Sequence, residues 1–267
     1  MTSGRLEPLL SAARQRVDAL RSARGELERR ARAVAPPPPF GARCADGSIG
    51  VIAEVKRRSP SAGAIHEALD PVAHARAYAA GGAVGVSVLT EPTHFGGSLD
   101  DLRRVAAAVP LPVLRKDFLL EELQLVEARA AGAAAALIIV RILEPNRVRS
   151  LVRAAQELGL AALVEVHSPG ELEIALAAGA RLVGINSRDL DSFTIDRDAA
   201  ERLLAQVPPD IVAVAESAIA ERGDVERVAR AGADHVLVGT AVARLADPRA
   251  AVQQLAGVRR QGRGSRA

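Results

Sequence analysis

Apolar and polar positions follow two rhythms along this chain. Between Arg5 and Val34, the residues Leu6, Leu9, Leu10, Ala13, Val17, Leu20 and Leu27 recur mostly at spacings of three, four or seven among arginines and glutamates. That is the stripe of an amphipathic helix. The proline run 36–39 ends it, because residues without a backbone N–H cannot continue a helix, and it reads as a stiff connector. From residue 50 onward short β-rich runs alternate with helical patterns: Val51–Lys56, Val84–Leu89, Val113–Lys116, Ala135–Val140, Ala161–Val166, Leu182–Asn186, Ile211–Glu216 and His235–Gly239. Four of these runs follow a helix that closes on a glycine, at Gly82, Gly132, Gly179 and Gly232. Glycine there supplies a left-handed C-cap and releases the chain into a strand. Eight βα units with strands buried on both faces predict an α/β protein, a single (βα)₈ TIM barrel with an extra N-terminal helix. A doubly wound open sheet is the alternative, disfavoured because no G-x-G-x-x-G follows the first strand. The expected organisation is a helical extension packed on the barrel over 1–35, a Pro-rich connector over 36–48, the barrel over 49–257 and a basic flexible tail over 258–267.

Composition narrows the function. The chain has 267 residues, 49% hydrophobic and 25% charged, enough for one large domain or two small ones. Its longest apolar stretches, such as 133–140, fall far short of the ~20 residues of a membrane span. The first residues lack the basic-then-apolar order of a signal peptide, so a cytoplasmic location is expected. Cys44 is the only cysteine, which excludes an intrachain disulfide and a multi-cysteine metal site. The net charge of +3 and the pI of 9.7 invite a nucleic-acid reading. The arginines are nevertheless interleaved with carboxylates, and four Phe, one Tyr and no Trp make a poor stacking surface, so no nucleic-acid or membrane partner is expected. The locally basic end, with Arg259, Arg260, Arg263 and Arg266, reads as a frayed terminus. His66, His74, His94, His167 and His235 show no paired metal-ligand spacing and read as surface or packing residues, with no metal expected.

The choice of cation is more informative. Of 35 lysines and arginines the only lysines are Lys56 and Lys116. Arginine cannot release its proton near neutral pH, whereas a desolvated lysine can be tuned to do so, and an isolated pair of lysines points to acid–base chemistry. Both lie where a barrel enzyme keeps its site, at the C-terminal strand ends. Glu54 and Lys56 are two apart and share a strand face; Lys116, Asn186 and Glu216 end three further strands, and Glu165 lies near the end of a fourth. Ser217 after the seventh strand, with Gly239 and Thr240 opening the last helix, could offer backbone N–H groups and hydroxyls to a phosphate, although ordinary turn and N-cap chemistry explains them equally. Phe95, Phe118 and Phe193 sit in mouth loops, suited to a flat apolar substrate group or to loop packing.

These residues carry a resemblance. The segment 51–61 (VIAEVKRRSPS) resembles the first-strand signature I-x-E-x-K-x-x-S-P-S of the indole-3-glycerol phosphate synthase family. Segments 89–98 (LTEPTHFGGS), 112–118 (PVLRKDF), 163–167 (LVEVH), 184–190 (GINSRDL), 215–217 (AES) and 237–240 (LVGT) resemble that family in order and spacing, from the N-terminal helix to about Leu255. The resemblance implies conversion of 1-(2-carboxyphenylamino)-1-deoxyribulose 5-phosphate to indole-3-glycerol phosphate with loss of carbon dioxide and water, a carboxy-lyase step of tryptophan biosynthesis that uses no cofactor. It implies that Lys116 is the general acid, that Glu165 is the base of dehydration, and that Lys56, paired with Glu54, holds the substrate carboxylate and helps the hydroxyl leave. Ser59, Phe95, Phe118, Asn186, Arg188 and Glu216 would bind the substrate body, and Ser217, Gly239 and Thr240 its phosphate. The phosphorylated anthranilate ribulotide would be the partner of a monomer or weak homo-oligomer. Two departures are present: Ala218 stands where the family usually has glycine, and Ser187 where it often has asparagine or alanine. An isomerase of a related sugar phosphate, which would need a different acid–base pair, and a catalytically silent paralogue remain the alternatives.

Overall fold

The computed structural model describes residues 6–60 and 63–263; Arg5, Ser61 and Arg266 lie outside them. Eight parallel strands close into one barrel: β1 (Gly50–Val55), β2 (Gly85–Leu89), β3 (Val113–Lys116), β4 (Ala135–Ile139), β5 (Ala161–Val166), β6 (Leu182–Asn186), β7 (Val212–Glu216) and β8 (His235–Val238). Each pairs with its sequence neighbour, and β8 returns to β1 through the register Gly50 to His235. These strands coincide with the eight runs read from the sequence to within one residue at either end. Gly82, Gly132, Gly179 and Gly232 all adopt positive φ, from 85° to 99°, as the helix-to-strand glycine predicts.

The helices of the described chain are α1 (Leu6–Arg21), α2 (Arg24–Ala33), α3 (Pro71–Ala80), α4 (Pro92–Phe95), α5 (Leu99–Ala108), α6 (Glu122–Ala130), α7 (Pro145–Glu157), α8 (Pro169–Ala177), α9 (Arg197–Leu204), α10 (Arg222–Arg230), α11 (Thr240–Arg244) and α12 (Pro248–Leu255). Asp70, Ser98, Ser168, Asp196 and Asp247 start five of them by accepting backbone N–H bonds on their side chains. A short antiparallel pairing of Arg58–Ser59 with Gly63–Ala64 shapes the loop after β1.

Strand alternation divides the core in two. Val51, Ala53, Val86 and Val164 face outward to the helices, while Ile52, Leu114, Leu137, Leu163, Val214 and Leu237 fill the barrel. The inward position two residues after these plugs is Glu54, Lys116, Ile139, Glu165, Glu216 or Gly239, five of the six not aliphatic. The polar mouth is therefore the next layer of the same face, stacked on an apolar floor.

The N-terminal extension is two helices rather than the single one expected. The chain turns at Ser22 and Ala23, and the stripe of α2 (Leu27, Ala31) then packs against Leu123 and Ala130 of α6. The leucines of α1 (Leu6, Leu9, Leu10) instead join the cluster that contains Phe118. One straight helix could not serve both surfaces. After the proline run Phe40 plugs the opposite end of the barrel, beside the first residue of β2, Gly85.

Residues 258–263 also depart from the frayed tail expected. Val258 is buried, Ser48 and Arg259 form a β-bridge, and Arg260 and Arg263 each reach Asp234 at 2.9 Å. Arg43 binds the same carboxylate at 2.8 Å. Asp234 is 1% exposed, and an unpaired buried charge is costly, so three guanidiniums from distant segments hold residues 259–263 onto the barrel floor. No helix among the described residues is long and apolar enough to cross a membrane.

Candidate active site

A cavity of about 380 Å³ opens at the C-terminal ends of the strands. Every site residue expected from the sequence lines it: Glu54, Lys56, Ser59, Phe95, Lys116, Phe118, Glu165, Asn186, Arg188, Glu216, Ser217, Gly239 and Thr240. Phe193, Glu91, Asp117 and Arg197 line it as well. No group of three or more His, Cys, Asp and Glu side chains among the described residues is disposed to hold a metal ion.

The centre of the cavity is an ammonium between two carboxylates. Lys116 Nζ lies 3.3 Å from Glu216 Oε2 and 3.5 Å from Glu165 Oε2. Burial alone would lower the Lys116 pKa, but Glu216, Glu165 and Glu54 outweigh it and raise it above the ordinary ammonium value. This corrects the expectation of a lysine tuned toward neutrality: the free protein holds Lys116 as a charged, proton-loaded acid. The two carboxylates diverge although they share that cation. Burial, with repulsion from Glu165, raises Glu216 to about 7. Glu165 feels the same burial, yet Lys116, His167 and a hydrogen bond from Asn186 bring its pKa below the ordinary carboxylate value. One carboxylate is thus poised to carry a proton near neutrality and the other to accept one.

Lys56 Nζ pairs with Glu54 Oε1 at 3.0 Å, and Glu54 also accepts from the Ser87 hydroxyl. Both lie against the loop after β8. A Cβ on Gly239 would come within 2.4 Å of Glu54 Oε1 and 3.1 Å of Lys56 Nζ, so glycine is required there by close approach. Gly184 serves the same purpose on β6, since a Cβ there would fall 2.1 Å from Glu216 Oε1.

Buried polar bonds hold the aromatic wall. The Phe95 and Phe118 rings are 6.3 Å apart and tilted by 46°. Glu91 accepts from the backbone N–H groups of Thr93, His94 and Phe95, which fixes α4. Asp117 accepts from the Phe118 N–H at 2.8 Å and from Arg16 of α1 at 2.6 Å. Sequence reasoning missed Glu91, Asp117 and Arg16; the backbone bonds of the two carboxylates are local, but Arg16 meets Asp117 across 101 positions and Glu91 across 75.

After β7 the backbone turns left-handed twice, at Ser217 (φ 65°) and Ala218 (φ 54°). Consecutive N–H groups in such a turn form an anion-binding concavity. Ala218 thus occupies the conformation that favours glycine. Ala218→Gly is expected to raise stability by up to ~1 kcal/mol and to leave inorganic phosphate affinity unchanged or tighter. Denaturant unfolding and phosphate titration check this; a tenfold loss of affinity would show that the alanine itself shapes the site.

His167 also departs from its sequence reading as a surface or packing residue. Its side chain is 4% exposed, with Nε2 lying 3.6 Å from Glu165 Oε1. A signal was present: His167 follows Glu165 by two residues, as Lys56 follows Glu54, so strand alternation puts both on the inward face.

A closed barrel with a lysine–glutamate cluster, paired phenylalanines and a left-handed turn at its mouth defines a (βα)₈-barrel enzyme. The chain belongs to the indole-3-glycerol phosphate synthase family, whose model matches residues 6–255. It is 46% identical over 252 residues to the indole-3-glycerol phosphate synthase of Mycobacterium avium, covering 94% of this chain and 93% of that one. It is 54% identical over 208 residues to that of a Nocardioides species, covering 78% and 80%. Among solved structures, 3-hexulose-6-phosphate synthase from Salmonella typhimurium superposes with a TM-score of 0.63 at 16% identity, over 78% of this chain and 96% of that one. Thiamine phosphate pyrophosphorylase from Pyrococcus furiosus gives 0.58 at 17%, over 78% and 93%. At such identities these two show the fold alone.

Proposed function

We propose that this chain performs its family's reaction, closing 1-(2-carboxyphenylamino)-1-deoxyribulose 5-phosphate to indole-3-glycerol phosphate with loss of carbon dioxide and water. The observation that carries the reading is the Lys116 ammonium held between Glu165 and Glu216 beside the Phe95–Phe118 wall. The aromatic ring of the substrate lies on that wall. Its carboxylate meets Lys56, and its phosphate meets Ser217, Gly239 and Thr240. Ser59, Asn186, Arg188 and Glu216 orient the rest.

In the first half-reaction the ring carbon bearing the carboxylate attacks the ketone carbon while Lys116 protonates the ketone oxygen, and carbon dioxide leaves. In the second, Glu165 removes a proton as the hydroxyl departs with a proton from Lys56, forming the indole double bond and water. A donor aimed at developing negative charge in a water-poor site provides the main electrostatic gain. Glu216, partly protonated near neutrality, lessens the repulsion that three buried glutamates would exert on a substrate that is itself an anion.

Incubating the purified protein with the ribulotide and following indole fluorescence tests the activity. In single-turnover traces Glu165→Gln is expected to slow the dehydration phase ~10²-fold while sparing ring closure. An unchanged dehydration phase would remove Glu165 from the role of base.

A further inference from the structure

Glu165 stands between two cationic partners, and only Lys116 has a part in the reaction above. On the other side lies His167. Glu165 Oε1 and His167 Nε2 are both buried, both lack a hydrogen-bond partner, and lie 3.6 Å apart. Buried polar atoms are rarely left unpartnered, and these two need to approach by only about half an ångström to share a proton.

The far edge of the imidazole is held in place. His167 Nδ1 lies 3.3 Å from Glu171 Oε2, and the same oxygen accepts the His167 backbone N–H at 2.7 Å. Glu171 Oε1 accepts from Arg141 Nε at 2.9 Å, and Arg141 also binds Asp189 in the loop carrying Arg188 and Phe193. Glu171, in the first turn of α8, thus fixes the ring and selects the tautomer with hydrogen on Nδ1 when His167 is neutral.

We propose that His167 is the positioning residue of Glu165, sharing a proton with it through Nε2 and setting the pH at which this carboxylate is free to act as a base. The proposal rests on the role given to Glu165 above. No bond other than N–H and O–H is made or broken: the imidazolium Nε2–H is shared with the ionised Glu165, and the proton that Glu165 takes up in dehydration is released to solvent once product has left. The charged groups around the ring are Glu165 on its own strand, Glu171 on α8 and Arg141 after β4; Lys116 and Glu216 act through Glu165. The two carboxylates outweigh burial and Arg141, raising the His167 pKa above its ordinary value, which agrees with an imidazolium facing Glu165.

The test combines pH profiles with direct titration. In His167→Gln the amide still hydrogen-bonds but carries no proton charge. Glu165 loses a cation, its pKa rises, and the acidic limb of kcat is expected to move up by about one pH unit. Glu171→Gln should move it the same way by less. A merely structural loss would lower kcat at every pH and leave the limb in place. ¹³C-carboxylate NMR of Glu165 in the unliganded protein, with circular dichroism as a folding check, reads the coupling without turnover. A Glu165 midpoint unchanged in His167→Gln overturns the proposal. A midpoint that rises while dehydration ignores both His167→Gln and Glu165→Gln upholds the coupling and overturns only the assignment of Glu165 as base.

Discussion

Lys116→Arg is expected to lower kcat by ~10²–10⁴-fold, the range that general-acid catalysis contributes, with the fold intact. Its ammonium sits 3.3 and 3.5 Å from two carboxylates. Those carboxylates raise its proton affinity, so the site stores a proton until a stronger base appears. The alkoxide formed as the ring closes is such a base. A guanidinium would satisfy Glu165 and Glu216 with its planar fork, which preserves charge balance and stability. Its charge is delocalised and its N–H groups are committed to the carboxylates, so none is both aimed at the ketone oxygen and free to transfer. Steady-state kcat alongside circular dichroism measures the effect. A folded variant that keeps more than about a tenth of the wild-type kcat would show that Lys116 is not the acid.

Thr240→Asp is expected to weaken binding of the phosphorylated ligand ~10²-fold. Thr240 begins α11 next to Gly239, against the Glu54–Lys56 pair. A carboxylate at a helix start suits the local backbone dipole, so the fold should tolerate it. The same carboxylate competes with phosphate for that positive potential. At ~6 Å and an effective dielectric constant of ~20, one added charge costs about 2.8 kcal/mol, which corresponds to ~10² in affinity. Titration with inorganic phosphate and with a reduced, unreactive substrate analogue provides the comparison. If the folded variant binds the analogue as tightly as wild type does, the phosphate lies elsewhere.

Much of this site was legible because barrel geometry converts position along a strand into position in space. Glu54, Lys116, Glu165 and Glu216 could be placed together without knowing a single contact, since each lies at or next to the C-terminal end of a strand on the inward face. The same rule would have found His167. Metal-ligand spacing does not reveal it, because that pattern asks about a second histidine and not about a carboxylate two residues earlier. Arg260 and Arg263 were misread for a different reason: a basic end looks solvated until Asp234, buried on the barrel floor, is known to require counter-charges.

Local chemistry was sufficient for the eight strands, the glycines that release them and the polar layer above the apolar plugs. Side-chain alternation and turn preference act over a few residues and are written directly in the order of the chain. The sign of each pKa shift, the left-handed turn at Ser217 and Ala218 and the division of the extension at Ser22 and Ala23 emerged only on folding. Each is decided by neighbours from distant segments or by packing against them. Lys116 meets Glu165 across 49 positions and Glu216 across 100, and Arg43 meets Asp234 across 191. Coulomb and desolvation energies depend on those through-space distances, which the order of residues does not contain until the barrel closes.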